Sequence, residues 1–306
     1  MTITQQAMTD SAESDDLGTR LALGIEVDTH HLRAAIDGEE FEAADRRQLE
    51  SELGRRLYER RHVRRDRTTP ISHARRDAAV EEALVGAIGT RTISLPAQDP
   101  CQIQGRSCAT VLGLRVHLDG EFTDQVQLPD VWPAMSPGFL MVFGTERPVS
   151  APDHPLWRIY LAAEDLDGAT PSFRVAVNYL RGNASRWQAK VASAPEHYPR
   201  SDAVTVYLDE TEQHHIEPLV DAVTTQAPPR PAHVSQYAHP LAAGIGLAQE
   251  PYDPDPRRAG LSYGQHRASL VARYLISEAE RPGNDFAELL RSAGVDPRAP
   301  WRNLRT

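Results

Sequence analysis

Of the 33 Lys and Arg residues in this 306-residue chain, only one, Lys190, is lysine. Arginine stays charged and cannot act as a base, whereas a desolvated lysine amine can lose its proton near neutrality. A GC-rich genome explains the bias most plainly, because Arg replaces Lys wherever either solvates equally well. A surviving lysine is then informative where Arg cannot stand in. In Arg186–Ala192 the apolar Trp187, Ala189 and Val191 alternate with Gln188, Lys190 and Ala192. On a strand, that alternation places Trp187 and Val191 in the core and Lys190 on the opposite face. Arg158 and Tyr160 alternate in the same way with Trp157, Ile159 and Leu161, and Arg200 and Asp202 precede the apolar run Ala203–Leu208. If these strands pair, Arg158, Tyr160, Lys190, Arg200 and Asp202 share one face, an anion site with a base in it. Neighbouring cations favour the uncharged form of an amine. The plainer alternative is the outward side of a half-exposed antiparallel sheet.

Two histidines join the candidates. His239 lies in YAHPLAAGIGLAQEP, and His266 stands beside Arg267 in SYGQHRASLVARYL at the start of a helix, where Arg and His suit an anion. Surface or core histidines are the plainer reading of both. Other chemistries find no support. No GxxxxGK[ST] occurs, no GxGxxG opens a helix after a strand, and GIGLAQ is too short and badly placed. HExxH is absent, and the adjacent pairs His30-His31 and His214-His215 do not share a helix face, so no metal is expected. Cys101 and Cys108 cannot build a disulfide framework or a four-ligand zinc site, and neither lies in a His-paired nucleophile motif.

The elements that must position these groups read as α+β, an antiparallel or mixed sheet flanked by helices. Residues 1–16 read as a disordered tail, 17–147 as a helix-plus-strand part, and 148–306 as the α+β part carrying the site, with the whole able to form one compact domain. Asp37-Gly38 predicts a hairpin turn. Leu49, Leu53 and Leu57 predict a helix over 43–62, and residues 75–89 a second one stopped by Gly89. Between Asp45 and Arg67 stand nine Arg against five acids, a solvated helix face or a dock for an acidic partner. Residues 91–145 read as antiparallel strands and turns, followed by a helix from Pro171 to Gly182-Asn183. Further helices are expected over 210–226, 264–280 and 284–293, the last capped by Asn284 and stopped by Gly294.

With a formal charge of −10 the chain is a poor binder of nucleic acid, which needs phosphate neutralisation. No apolar run reaches the roughly 18 residues of a membrane helix. The opening MTITQQAMTDSAESDD carries no basic region before an apolar stretch, so no secretory signal is expected. A reducing cytoplasm is the expected compartment.

The order of WRIYLA, RWQAKV, PRSDAVTVYL, HPLAAGIGLAQEP and SYGQHRASLVARYL, with GRRLYERR and MSPGFLMVFG upstream, resembles the HopA-type type III effector family. At His239 the chain departs from the family's pattern. The resemblance implies more specifically an actinobacterial branch that works beside a small kinase in making class V lanthipeptides and thioamitides. Such proteins are implied to be cofactor-free lyases, similar to phosphothreonine lyases. They eliminate phosphate from phosphorylated Ser or Thr in a precursor peptide, leaving dehydroalanine or dehydrobutyrine. The roles expected on this reading are Lys190 as base and His266, or secondarily His239, as acid. Arg158, Arg200, Arg267 and Arg181 are expected to hold the phosphate, with Tyr160 and Asp202 supporting. A hetero-oligomer with the kinase is expected. The rival readings are a non-catalytic phosphopeptide scaffold, a kinase activator and a delivered virulence effector.

Overall fold

Alternation of apolar and polar side chains builds the strands, and leucines four residues apart build the first helix. In the computed structural model, which describes residues 21–64, 76–118, 120, 122–151 and 154–304, strands β1 (Ile25–Asp28), β2 (Arg33–Ile36) and β3 (Glu39–Glu42) form a small antiparallel sheet. The expected hairpin at Asp37-Gly38 joins β2 to β3. Helix α1 (Arg46–Leu57) is capped by Asp45, whose carboxylate accepts the Gln48 N–H at 2.7 Å, and it buries Leu49, Leu53 and Leu57 completely. It continues into a π-helical turn, Tyr58–Val63, closed by Arg64 at a positive φ of 60°. Helix α2 (Ala78–Ile88) follows, ending on Gly89.

Next come β4 (Thr92–Pro96), β5 (Gln98–Ile103), β6 (Arg106–Val111), β7 (Leu114–His117) and β8 (Gln125–Pro129). These form one two-stranded and one three-stranded sheet. Cys101 and Cys108 face each other across β5 and β6 and are joined as a disulfide, which the expectation of a reducing compartment did not anticipate.

Strands β9 (Val131–Ser136) and β10 (Phe139–Phe143) enter the main sheet. Then follow β11 (Trp157–Ala163), α3 (Leu166–Asn183), β12 (Trp187–Ala192) and β13 (Arg200–Leu208). After a 3-10 turn (Glu210–His215) come α4 (Ile216–Gln226), β14 (His239–Ala242), β15 (Ile245–Gln249), α5 (Tyr263–Glu280) and α6 (Phe286–Ser292). The seven-stranded antiparallel sheet has the order β14-β15-β11-β13-β12-β10-β9, so its strands come from both sides of residue 147. The architecture is α+β.

Two local differences from the sequence reading have simple causes. Helix α3 starts at Leu166 and carries Pro171 inside it, because the Asp165 carboxylate caps the Gly168 N–H upstream of the proline. Helix α6 is capped by Asp285, not Asn284. Its carboxylate accepts from the N–H groups of Ala287 and Glu288, while the Asn284 amide donates back to the Arg281 carbonyl.

The sheet is covered on both faces. One carries Ile159, Leu161, Trp187, Val191 and Val206 against Phe173, Val177 and Leu180 of α3, with α2 and α4 in the same core. On the other, α1 and α5 pack together around Leu53, Leu57, Tyr263 and Val271, joined to the sheet through Tyr160 and Ala248. The two helices run antiparallel, since Arg46 at the start of α1 pairs with Glu280 at the end of α5. No helix among the described residues is long and apolar enough to cross a membrane. Residues 1–16 lie outside the described residues.

Candidate active site

Register decides which side chains meet on the second face. Lys190 on β12 stands opposite Thr205 on β13, and Thr205 opposite Tyr160 on β11. The next row is Gln188, Tyr207 and Arg158. Lys190, Arg158 and Tyr160 therefore share a face, as their alternation predicts. Arg200 and Asp202 reach it by another route. The β11–β13 register shifts between Leu161 and Ala163, and both Ala203 and Val204 turn into the apolar core. That irregularity re-aims the start of β13 and brings Asp202 to the cavity.

Aromatic faces hold the cations. The Lys190 Nζ lies 4.3 Å from the Phe139 ring centroid and 5.8 Å from that of Tyr207. Arg200 shares the Phe139 ring at 5.0 Å, and Arg158 shares the Tyr207 ring at 5.0 Å. Such contacts fix a cation without neutralising it.

The opposite wall comes from the π-helical turn and the loop before α5. Tyr58 and His62 stack with ring centroids 5.5 Å apart, and His62 meets the Tyr160 ring edge-on at 5.2 Å. The His62 Nδ1 is 2.7 Å from the Ser235 hydroxyl, and its Nε2 is 3.7 Å from an Asp202 oxygen. Gly264 is required here, since a Cβ at that position would lie 2.2 Å from the His62 ring. Glu250, Asp253 and Arg258 complete a cavity of about 750 Å³ that also exposes Lys190, Arg158 and Asp202.

Each arginine of the site has a carboxylate partner. Arg158 pairs with Glu250 through Nε and Nη2, and Arg200 with Asp202 through Nε (2.7 Å) and Nη2 (3.0 Å). Arg258 holds Asp253 through Nε at 2.5 Å and Nη2 at 3.1 Å. Lys190 alone has no carboxylate partner among the described residues. Burial opposes ionisation of Asp202, but the Arg200 charge and His62 outweigh it and hold the carboxyl well below its ordinary range. Burial drives the Tyr160 phenol well above its ordinary value and raises Tyr58 to about 12, so both stay protonated. The hydroxyls of Tyr160 and Thr205 are buried and make no hydrogen bond within the described chain. A lone amine thus faces two unpartnered hydroxyls, between guanidinium groups already oriented by carboxylates.

The HopA1 effector protein family matches residues 131–302, more than half of the chain. The chain belongs to this family. The match opens on the first residue of β9 and takes in the whole seven-stranded sheet. Among solved structures, an effector protein from Pseudomonas syringae pv. tomato strain DC3000 aligns with a TM-score of 0.50 at 11% identity, covering 98% of this chain and 99% of that one. A second effector, from Pseudomonas syringae pv. syringae strain 61, gives a TM-score of 0.46 at 14% identity over 84% of this chain and 96% of its own. At such identity the first likeness shows a shared fold. No curated protein matches the chain.

Five residues that the HopA-type resemblance proposed stand away from this cavity's lining, Arg200 among them as the partner of Asp202. Arg181 is a tie between elements, binding Asp130 through Nε at 2.9 Å and the carbonyls of Ile88 and Gly89. His239 stacks on Trp301 at 4.6 Å and is exposed at the edge of the sheet. Arg267 is buried behind the wall, donating to the Pro300 carbonyl at 2.7 Å and to His266 Nδ1 at 2.6 Å. His266 is buried with both ring nitrogens engaged, its Nε2 2.7 Å from Asp253. Burial and the Arg267 charge lower its pKa to about 4, so it is neutral and orients Asp253. The helix start expected to receive an anion instead points these two side chains inward.

Sequence reasoning missed Tyr58, His62, Thr205, Glu250, Asp253 and Arg258. A π-helical segment often marks a functional site, but its hydrogen bonding is not visible in a residue pattern. Beside the pair His214-His215, set aside as metal ligands on helix geometry, the chain places a third group of ligand type. Ligand atoms of Glu212, His214 and His215 lie within 4.8 Å of one another in the 3-10 turn, outside this cavity.

Proposed function

We propose that the cavity receives a phosphorylated Ser or Thr of a peptide and that the chain is a phospho-Ser/Thr lyase. The carrying observation is Lys190, an amine without a carboxylate partner among the described residues, in one row with the unpartnered hydroxyls of Thr205 and Tyr160. The Lys190 amine takes the Cα proton through its lone pair. Those electrons become the Cα=Cβ double bond as the Cβ–O bond breaks, and hydrogen phosphate leaves with the bridging oxygen. The products are dehydroalanine or dehydrobutyrine, hydrogen phosphate carrying the proton that Tyr160 gives the bridging oxygen, and a protonated Lys190, whose proton returns to the Tyr160 phenolate.

Arg158 spends its Nε and Nη2 edge on Glu250, leaving its Nη1 amino group to bind the phosphate more strongly as it departs, while Arg200 holds Asp202 in place. The Tyr160 phenol, protonated and buried, is the proton donor that the cavity offers the leaving oxygen, in place of His266 and His239. A kinase partner would supply the phosphorylated peptide, and a lanthipeptide or thioamitide precursor in the cytoplasm is the substrate we favour, on the resemblance alone. Family membership bears more directly on a second reading, a HopA-type effector acting after delivery, as does the fold shared with a Pseudomonas effector.

The test is mass spectrometry of a chemically phosphorylated peptide incubated with the purified full chain. A loss of about 98 Da per phosphate is the expected result, whereas about 80 Da would mean hydrolysis. No change, with the peptide still bound, would leave a binding scaffold in place of an enzyme.

A further inference from the structure

A second groove of about 780 Å³ runs between α1 and α5. It opens into the Lys190 cavity, for Tyr58, Arg258, Leu261 and Gln265 line both. Six arginines line it, Arg46, Arg47, Arg55, Arg257, Arg258 and Arg273, against one acid, Glu50. Some of this charge is internally matched. Arg46 bridges Glu280 and Glu50, Arg55 holds Glu52 and Glu59, Arg257 holds Asp255, and Arg258 holds Asp253 and Asp255. Arg47 and Arg273 have no carboxylate partner among the described residues. The hydroxyl residues Ser51, Ser269 and Ser277 add neutral hydrogen-bonding groups along the same walls.

We infer that this groove binds an acidic stretch of the same peptide whose phosphorylated residue enters the Lys190 cavity. The inference rests on the proposed function and names its substrate class, a phosphopeptide with Asp or Glu on one side of the phosphoresidue. Charge complementarity carries it, since Arg47 and Arg273 stand on the groove's walls without a carboxylate partner among the described residues, in a chain whose formal charge is −10. Continuity with the cavity is the second support. The 12 residues of α1 span about 18 Å, at roughly 1.5 Å per residue. An extended peptide rises about 3.3 Å per residue, so about five residues fill that length. The short span and the lack of successive aromatic platforms favour a peptide over a nucleic acid strand.

The test uses the full chain carrying Lys190→Arg, to prevent turnover, and fluorescence anisotropy with synthetic peptides. Each holds one phosphoserine flanked on its N- or C-terminal side by five Glu or by five Gln residues. One acidic flank is expected to tighten binding about tenfold over its Gln counterpart, with a preference that shrinks as salt rises. Arg47→Glu with Arg273→Glu should abolish that preference. The pair Arg106→Glu and Arg115→Glu, exposed on the β6–β7 hairpin and equal in charge change, should retain it. Equal affinity for Glu and Gln flanks on both sides overturns the inference, as does equally tight binding of a single-stranded oligouridine of matched charge. Flank preference without elimination by the wild-type chain removes the lyase reading alone. Elimination without flank preference removes the groove alone.

Discussion

Replacing Lys190 by Arg separates a base from a cation. The amine rests over two rings, 4.3 Å from Phe139 and 5.8 Å from Tyr207, and a guanidinium makes the same kind of contact. Each such contact is worth about 0.5–2 kcal/mol depending on desolvation, so Lys190→Arg keeps most of what Lys190→Ala would lose. The variant keeps a permanent positive charge at this position, so phosphopeptide affinity should fall no more than about threefold below wild type. The basic lone pair, however, is gone. Loss of a positioned general base costs about 10²–10⁴ in rate, or about 3–5 kcal/mol of barrier. The assay is single-turnover release of inorganic phosphate from a saturating phosphopeptide, run beside anisotropy and thermal unfolding of the same variant. A Lys190→Arg chain that folds, binds and still eliminates at the wild-type rate refutes the assignment of the base. Equal losses in binding and rate would instead make Lys190 a phosphate-holding cation.

Further outcomes follow from the surroundings of the site. His266 has its pKa lowered from 6.5 to about 4 by burial and Arg267, so its contribution to stability is complete above pH 6.5 and is lost as pH falls towards 4. That contribution is about 3 kcal/mol at most, and urea unfolding at pH 7 and pH 4.5 should show a drop that His266→Gln reduces. Gly264→Ala places a methyl 2.2 Å from the His62 ring and should destabilise by about 1–3 kcal/mol while slowing elimination. Gly86→Ala, in α2 with nothing within 4 Å of the new carbon, should stabilise by up to about 1 kcal/mol, so thermal unfolding of the two variants should move in opposite directions. Arg181→Ala leaves Asp130 buried without its cation and should cost about 3–5 kcal/mol. The rate per folded molecule should not change, and a rate loss beyond tenfold in folded Arg181→Ala would return this arginine to the site.

What was legible in the sequence is what a period of two can encode. Trp157–Leu161 and Trp187–Val191 each present a core face, so Arg158, Tyr160 and Lys190 follow onto the other one. Arg200 and Asp202 came out on the expected side although the alternation breaks between them and Thr205, because an irregularity that no residue pattern announces restores their direction. The helix start at Ser262 was visible, but not which way its first turn faces. Packing of α5 against α1 turns His266 and Arg267 inward and leaves Gln265 at the cavity. Carboxylates were the larger omission. Glu250 and Asp253 sit in a proline-rich loop without periodicity, yet they decide that Arg158 and Arg258 are paired rather than free.

The strand bearing Lys190 is flanked by β10, from before residue 147, and by β13, from after it. Cutting the polypeptide at that point would strip β12 of one neighbour and bare a row of backbone donors and acceptors beside buried valine and alanine. A fragment beginning at residue 148 should therefore self-associate through that raw edge, whereas adding back a peptide spanning 125–147 should cap it and restore solubility.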